Sequence, residues 1–591
     1  MQKGEEQQIS KGGCLWDIRR SDARAAEILM QRCGLPAVVA DILAEREVSA
    51  EDIESFFNPK LNNLMPDPYV MKDMAKAAAR IAEAVERGER IGIIGDYDVD
   101  GATSTSIMRL FLQSCGNSAL VHIPDRDEGY GPSTAAVDDF ASQGVSLLLT
   151  LDCGTTAFEP LEYATVAKKM DVIVLDHHEA EVKLPKIYAL VNPKRLDDDN
   201  DYPYLKYMAA CGVVFMCVVA VNRELRRRGF YQQDCKEPDL KSWLDLVALG
   251  TVCDVVPLKG LNRAYVTQGL KIMAQRGNIG LTALMDEAGL EQAPNAFHLG
   301  FVLGPRINAC GRVGNADYGN QLLCCTNPAK AEDLVAKLNQ FNSERKDIEN
   351  FVLLDAIEQV ESAPQEWPIA FVFGNNWHQG VIGIVAGRLR ERYNVPAFVM
   401  SVEGGEVKGS ARSIDGLDLG ALIIAAKEKG VISKGGGHAM AAGFSLDEDK
   451  LPEFRRFVGE YVVNKIGDEK IVPVKKIDAV MDVGGANDEV AEYLEKLEPF
   501  GQGNPEPKLM LRRVKIIKPA AMGIGHARCI LLSDNGESIK AVAFRVGDNE
   551  IGRTIMAADG RHYDVCGCLK FDRWCGKQSL QFIIDDIREC A

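Results

Sequence analysis

Between residues 91 and 192 the chain alternates short apolar runs with longer amphipathic stretches. The runs read IGII (91–94), LVHI (120–123), LLLTL (147–151), VIVL (172–175) and YALV (188–191). Such alternation predicts a parallel sheet with helices on its faces. In sheets of that kind, functional groups gather at the carboxyl ends of the strands. Here IGII leads into Asp98, LLLTL into Asp152, and VIVL into Asp176, His177 and His178.

The pattern then changes three times. The stretch NPAKAEDLVAKLNQFNSERKDIENFVLLDAIEQVES (327–362) is long, polar and free of turn signals, and predicts a connector helix. From Trp367 a second α/β pattern runs from PIAFVFG to GGGHAMAAGFS. Beyond about residue 470 the texture is all-β. ARCILLSDNGESIKAVAFR reads as two strands around Asp534-Asn535-Gly536, a strong hairpin signal. YDVCGCLKFDRWCGKQSLQFIIDDI reads as another hairpin, and an oligonucleotide-binding (OB) type of barrel fits this tail. The run MAACGVVFMCVVAV (208–221) is shorter than the roughly 20 residues a bilayer span needs, and predicts a buried helix. The expected organisation is an N-terminal segment over 1–55 with no assignable pattern, a catalytic α/β domain over 56–325 and a connector helix over 326–365. A second α/β domain follows over 366–465, and a β-barrel over 470–591.

Composition changes this picture little. A length of 591 residues with 46% apolar and 26% charged residues is that of an ordinary multidomain globular protein. The net charge of −17 argues against a protein coated in anionic polymer, though a local basic groove survives any global average. The 16 cysteines include no C-x-x-C pair; Cys566, Cys568 and Cys575 lie in alternating strand-like sequence without zinc-knuckle spacing. Scattered cysteines, and an opening MQKGEEQQISKGG without an apolar core, imply the cytoplasm.

The chemistry lies in GDYDVDGATS (95–104). Three aspartates at the end of a buried strand repel one another and resist losing water, so a cation is expected among them. Asp98, Asp100, Asp152 and His177 share one sheet edge, and Asp254 in LVALGTVCDVVPL is a fifth candidate. Oxygen-rich ligands with one imidazole suit manganese or magnesium better than zinc. Four or more carboxylates can hold two divalent cations, the arrangement of hydrolytic phosphate chemistry. Each aspartate alone also reads as a helix cap or turn former. GPRINACGR adds Arg306, Asn308 and Arg312 as phosphate contacts; KGSARS adds Lys408, Ser410 and Arg412. KGGGHAMAAG adds backbone amides at Gly435, Gly436 and Gly437, with His438 beside them. In the tail, Arg512, Arg513, Lys515, Lys570, Phe571, Arg573 and Trp574 interleave cations with rings as a single-strand surface does.

GDYDVDGATS, LDCGTT, LDHHEA and GTVCDVVPL resemble the four motifs of the DHH phosphoesterase superfamily. GPRINACGR, WHQGVIGIVAGRL, GSARS, GGGHAMAAGFS and PFGQGNPEP resemble those of its RecJ branch of single-strand-specific DNA exonucleases, from about Phe56 to the C-terminus. The resemblance implies a DHH-type parallel-sheet catalytic domain, a connector helix, a DHH-associated nucleic-acid-binding domain and an OB-type barrel. It implies metal ligation by Asp98, Asp100, Asp152, His177 and Asp254, with Asp100 and Asp152 next to both ions, and it places His178 at the scissile phosphate. Where many superfamily members carry a histidine, this chain has Ile94; Asp96 either takes over that ligand place or caps the turn. The implied activity is 5′ to 3′ degradation of single-stranded DNA to 5′-mononucleotides, with two Mn2+ or Mg2+ ions, in DNA repair and recombination. A narrow passage between the two α/β domains would admit one strand, and Arg306 with Ser410 and Arg412 would receive the 5′ phosphate. Implied partners are single-stranded DNA, a single-strand-binding protein and a helicase, with no membrane and a monomeric chain. The rival readings are a small-substrate phosphoesterase and a non-catalytic DNA-binding scaffold.

Overall fold

The computed structural model describes residues 8–126, 128–232, 235–362, 366–467, 471–547, 549–573 and 578–590. Trp574 and Cys575 lie outside them. The chain forms two compact units: Pro59–Phe351 with Pro499–Pro505, and the remainder.

The first unit is built on a five-stranded, all-parallel sheet. Its spatial order is Leu120–His122, Ile91–Gly95, Leu147–Leu151, Asp171–Leu175, Ala189–Val191. All five expected apolar runs are strands. The three central ones are buried almost throughout, as strands covered on both faces must be. The chain passes from the second position to the edge and returns to the other side, so strand order reverses between Ile91–Gly95 and Leu147–Leu151. A reversal of this kind opens a crevice at the carboxyl ends. The helices Val99–Ser114, Ala210–Arg227 and Leu244–Cys253 pack on one another beside the sheet. The apolar run 208–221 lies in the second of these and is buried, and no helix among the described residues is long and apolar enough to cross a membrane.

The 35-residue helix Pro328–Ser362 begins in the first unit and ends in the second. There a mixed five-stranded sheet has the order Lys434–His438, Ala441–Asp447, Glu406–Arg412, Ala397–Glu403, Ala370–Asn375. A closed β-barrel follows. Leu509–Met522 pairs with both His526–Leu532 and His562–Asp572; Ser538–Ala543 and Ser579–Glu589 complete the ring. Both expected hairpins are present. Cys566 and Cys568 are buried in barrel strands, and burial pushes their thiols up to about 12.

The N-terminal segment, featureless as sequence, is knitted to this barrel. Leu15–Ile18 pairs in parallel with Val474–Ile477. The fully buried Asp586 accepts hydrogen bonds from the Ser10 hydroxyl (2.6 Å), the Gly12 amide (2.8 Å) and the Trp16 indole (2.9 Å).

Candidate metal centre and phosphate site

The strand Ile91–Gly95 ends where the crevice opens, and the loop after it carries Asp96 and Asp98. Asp98 caps the helix Val99–Ser114: its Oδ1 accepts the amides of Asp100 (2.9 Å) and Gly101 (3.1 Å). The cap and the ligand readings of this residue are therefore compatible, since a carboxylate has oxygen lone pairs for both. Gly101 is required by close approach, because a Cβ there would lie 2.3 Å from the Asp96 carbonyl oxygen. Asp100, in the first turn of the helix, points at the N-terminus of Ala210–Arg227. Its Oδ2 accepts the Ala210 amide (2.6 Å) and its Oδ1 the Cys211 amide (2.9 Å), so two otherwise unpaired helix donors fix it.

Asp152 follows the neighbouring strand in a left-handed conformation (φ 63°), which Asp and Asn tolerate better than other side chains. Asp254 ends the helix Leu244–Cys253, and Val255 after it also has positive φ (58°). For a β-branched residue that is a strained conformation, of the sort held at functional sites.

Three overlapping groups of ligand atoms result, each within 4.8 Å: Asp96, Asp98 and Asp152; Asp100, His177 and Asp254; and Asp152, His177 and His178. Asp152 belongs to two of them, whereas Asp100 belongs to one. The His177 Nδ1–H donates to the Met208 carbonyl (3.0 Å). This leaves Nε2 as a lone pair facing Asp152 Oδ1 at 3.4 Å, Asp254 Oδ2 at 3.5 Å and Asp100 Oδ2 at 3.8 Å. Asp96 Oδ1, Asp152 Oδ1 and Asp254 Oδ2 are buried without a hydrogen-bond partner. Lone pairs converging on lone pairs repel unless a cation lies between them. The donor set, carboxylate oxygens with one neutral imidazole, fits Mn2+ or Mg2+.

The electrostatics agree. Burial foremost, and Asp98 next, push Asp96 up to about 7; burial with Asp100 and Asp98 pushes Asp254 up to about 9. Asp98 and Asp152 are raised for the same reasons. Burial lowers His177, which keeps it neutral. Asp176 behaves oppositely: burial works to raise it, but donors outweigh burial and its pKa is lowered. It accepts from the Thr155 amide and hydroxyl (3.0 and 2.6 Å), the His177 amide (2.7 Å) and His178 Nδ1–H (2.8 Å). His178 is thereby held by Nδ1 and its pKa raised, despite burial. Its Nε2 lies 3.3 Å from the Tyr130 hydroxyl, which donates to the Asp152 carbonyl (2.9 Å).

Of the expected phosphate contacts in the first unit, Asn308 and Arg312 share one side of the helix Gly304–Val313, while Arg306 projects from the other. Arg306 donates to Asn339 Oδ1 (2.9 Å) and the Val302 carbonyl (2.6 Å). Arg312 lies in a basic cluster: burial first, then the charges of Arg126 and Arg345, lower it to about 10, and Asp98 and Tyr97 act on it in the opposite sense. Arg126 stacks over the Tyr97 ring (4.4 Å) and donates to the Gly311 carbonyl (2.7 Å). Guanidinium groups of this kind have the planar, charged donors that suit a phosphodiester oxygen. Sequence reasoning missed Arg126 and Tyr130, which lie in a loop without a motif, and Arg345, which lies midway along the long helix Pro328–Ser362; it marks Asp176 only as the residue before the histidines.

In the second unit the strand register aligns the remaining candidates. Arg412 pairs with Ala441, which pairs with His438; Ser410 pairs with Gly443, which pairs with Gly436. Arg412 Nη1 donates to the Ser410 hydroxyl (3.1 Å), and burial with Arg390 lowers its pKa. Gly436 and Gly437 lie on the sheet's edge strand, exposing backbone groups. On the barrel, Arg513 and Lys515 lie near Asp534 (4.0 and 3.8 Å), Lys570 pairs with Glu506 and Arg573 with Glu495.

Three family models match: the DHH family N-terminal domain over 90–251, the DHHA1 domain over 366–464 and the RecJ OB domain over 477–586. The single-stranded-DNA-specific exonuclease RecJ of Escherichia coli (strain K12) is 34% identical over 94% of this chain and 96% of its own length. That of Bacillus subtilis (strain 168) is 33% identical over 97% of this chain and 70% of its own. The crystal structure of RecJ with Mn2+ from Thermus thermophilus superposes with a TM-score of 0.81 at 27% identity, over 98% of this chain and 80% of that one. The Mg2+ complex gives 0.75 over 98% and 78%.

Proposed function

The chain belongs to the RecJ family of single-stranded-DNA-specific exonucleases, and we propose that it works from the 5′ end, releasing 5′-mononucleotides, with each residue of the acidic centre in a definite role. It is a metal-dependent hydrolase of phosphodiester bonds that uses two divalent cations, Mn2+ or Mg2+. The observation that carries the assignment of residues is the convergence of two unpartnered, buried carboxylate oxygens, Asp152 Oδ1 and Asp254 Oδ2, on the His177 lone pair, with a third orphaned oxygen, on Asp96, in the group that Asp152 shares with Asp98.

In this reading Asp96, Asp98 and Asp152 hold one cation, and Asp100, His177 and Asp254 the other. When bound, the cations supply Lewis-acid activation of the phosphodiester and of water. The chain's own groups do the rest. Asp176 anchors the His178 ring, so its imidazole can donate to a non-bridging phosphate oxygen. Arg126 and Arg312 neutralise the diester beside Asp98. Ser410 and Arg412, with the exposed amides of Gly436 and Gly437 and the His438 ring, offer a cationic, donor-rich place for a terminal phosphate. A monomer acting in the cytoplasm fits this reading, with a helicase and a single-strand-binding protein presenting free ends.

The test is digestion of single strands labelled at one end or the other, with and without a 5′ phosphate, in added Mn2+ or in chelator. The expected result is cation-dependent release of labelled mononucleotide from the 5′ end first. Release from the 3′ end first would reject the polarity and the terminal-phosphate site together.

A further inference from the structure

Next to the metal centre, within the same unit, lies a cavity of about 520 Å3, inside the roughly 300–1,000 Å3 range of small-molecule sites. Three segments meet in its wall: two continue from metal-centre residues and the third is hydrogen-bonded to one. Glu179 follows His178, Val256 and Pro257 follow Asp254, and Met208 gives its carbonyl to His177. The wall is braced, because the Asn262 amide donates to both the Tyr207 carbonyl (2.7 Å) and the Pro257 carbonyl (2.9 Å).

The lining combines rings with cations. Tyr202 and Tyr207 line the cavity and are 46% and 36% exposed, so part of each ring surface is available. Tyr204 sits between them in sequence with its ring 6.3 Å from that of Tyr207. Lys194 and Lys206 bring positive charge, and the charge of Lys194 reaches Asp254 and His177. The acids of the lining have donors of their own: Glu179 pairs with Lys194 at 3.1 Å, a pair half open to water that a phosphate would exchange with, and Asp198 accepts the Lys72 amide at 3.3 Å. Tyrosine faces accept any nucleobase by stacking, and lysines accept a phosphate as point charges. A deeply acidic pocket would repel a nucleotide, and a purely apolar one would leave its phosphate unpaired; this lining does neither.

We propose that this cavity is a nucleotide subsite beside the metal centre, receiving a base on Tyr202 and Tyr207 and a phosphate at Lys194 and Lys206. The inference rests on the nuclease reading for its substrate. Two sources share the chemistry: a further nucleotide of the strand under attack, or a released mononucleotide on its way out.

The experiment compares the full chain with Tyr202→Ala and Lys206→Gln, using 5′-phosphorylated oligothymidylates of increasing length from the dinucleotide upward, in Mn2+. Thymidine 5′-monophosphate serves as inhibitor and, by calorimetry, as direct ligand. If a strand nucleotide occupies the cavity, KM rises about tenfold in the variants for oligonucleotides long enough to reach it, while the dinucleotide KM and kcat hold. If released product occupies it, the inhibition and dissociation constants for thymidine 5′-monophosphate rise about tenfold instead. Unchanged constants of both kinds in both variants would overturn the proposal. The calorimetric arm needs no catalysis, so a wild-type chain that degrades no DNA but binds the mononucleotide about tenfold more tightly than the variants do would reject the nuclease reading and leave the cavity assigned.

Discussion

Asp152 has an unpartnered oxygen and feels the charge of four other carboxylates, Asp96, Asp98, Asp100 and Asp254, and that residue is where function and stability oppose each other most directly. Asp152→Asn keeps the shape, and Asn also accepts the left-handed backbone found there. The variant is expected to lose hydrolysis while the cation-free protein melts at a higher temperature than wild type near pH 8, because a buried carboxyl crowded by other carboxylates is gone. Near wild-type hydrolysis would remove Asp152 from the centre. Cation and proton also compete for these groups. In the cation-free fold Asp96 titrates at about 7 and Asp254 at about 9, above ordinary carboxylates. The folded chain therefore holds protons that the unfolded chain has released, so their contribution is fully present below about pH 4 and lost as pH rises through those values. Bound cations cancel that loss. Adding Mn2+ should raise the melting temperature more at about pH 8.5 than at about pH 5.5, and equal increments would contradict the assignment. Asp176→Asn weakens the anchor of His178 without touching a ligand atom. Activity should fall about 10- to 100-fold, the usual scale for groups that orient a site, with Mn2+ affinity changed less than in Asp152→Asn.

Among elements, the strands were the legible part. Each apolar run became the expected strand because a sheet covered on both faces needs continuous burial, and that leaves an unmistakable mark in sequence. The aspartates and histidines at the strand ends followed directly. Arg126 and Tyr130 did not: they stand in a loop after Leu120–His122, and only the packing of Arg126 on Tyr97 and of Tyr130 on Asp152 gives them meaning. Arg306 illustrates the reverse. Its place in a basic motif suggested a phosphate contact, but helical phase turns it toward Val302 and Asn339. The N-terminal strand was illegible because four residues pairing with a partner far along the chain carry no local periodicity. Register makes a prediction in the second sheet. Arg412 shares a cross-strand line with Ala441 and His438, and its Nη1 is oriented by Ser410. Arg412→Ala should slow degradation of 5′-phosphorylated strands by roughly 10- to 100-fold, from the about 1.5–3 kcal/mol of a charged hydrogen bond. Strands ending in a 5′ hydroxyl should be affected much less. An equal loss on both ends would assign Arg412 to internal phosphates.

At the scale of the whole molecule, a chain of net charge −17 must bind a polyanion through local cations against its own field. On the barrel most candidate cations already answer an acid: Lys570 has Glu506 and Arg573 has Glu495. Arg512 and Arg513 stand together, exposed, near the start of Leu509–Met522, with Arg513 4.0 Å from Asp534, too far for a firm pair. If the barrel grips the strand, these two are the easiest to transfer from water and weak acids to phosphates. Each phosphate so neutralised releases about 0.7 of a counterion from single-stranded DNA. Replacing both arginines by Gln should therefore weaken binding of a long strand and flatten its salt dependence by about 1.4 in the log–log slope. Cleavage of oligonucleotides too short to reach the barrel should not change, because the acidic centre and its arginines belong to the other unit. Filter binding across a salt series, with hydrolysis of a short and a long strand measured in parallel, checks both halves. An unchanged slope would take the strand off this face of the barrel. A loss on short oligonucleotides as well would mean that the substitution had disturbed the fold, and the buried Asp586 clamp that ties the barrel to the N-terminal segment would be the place to look.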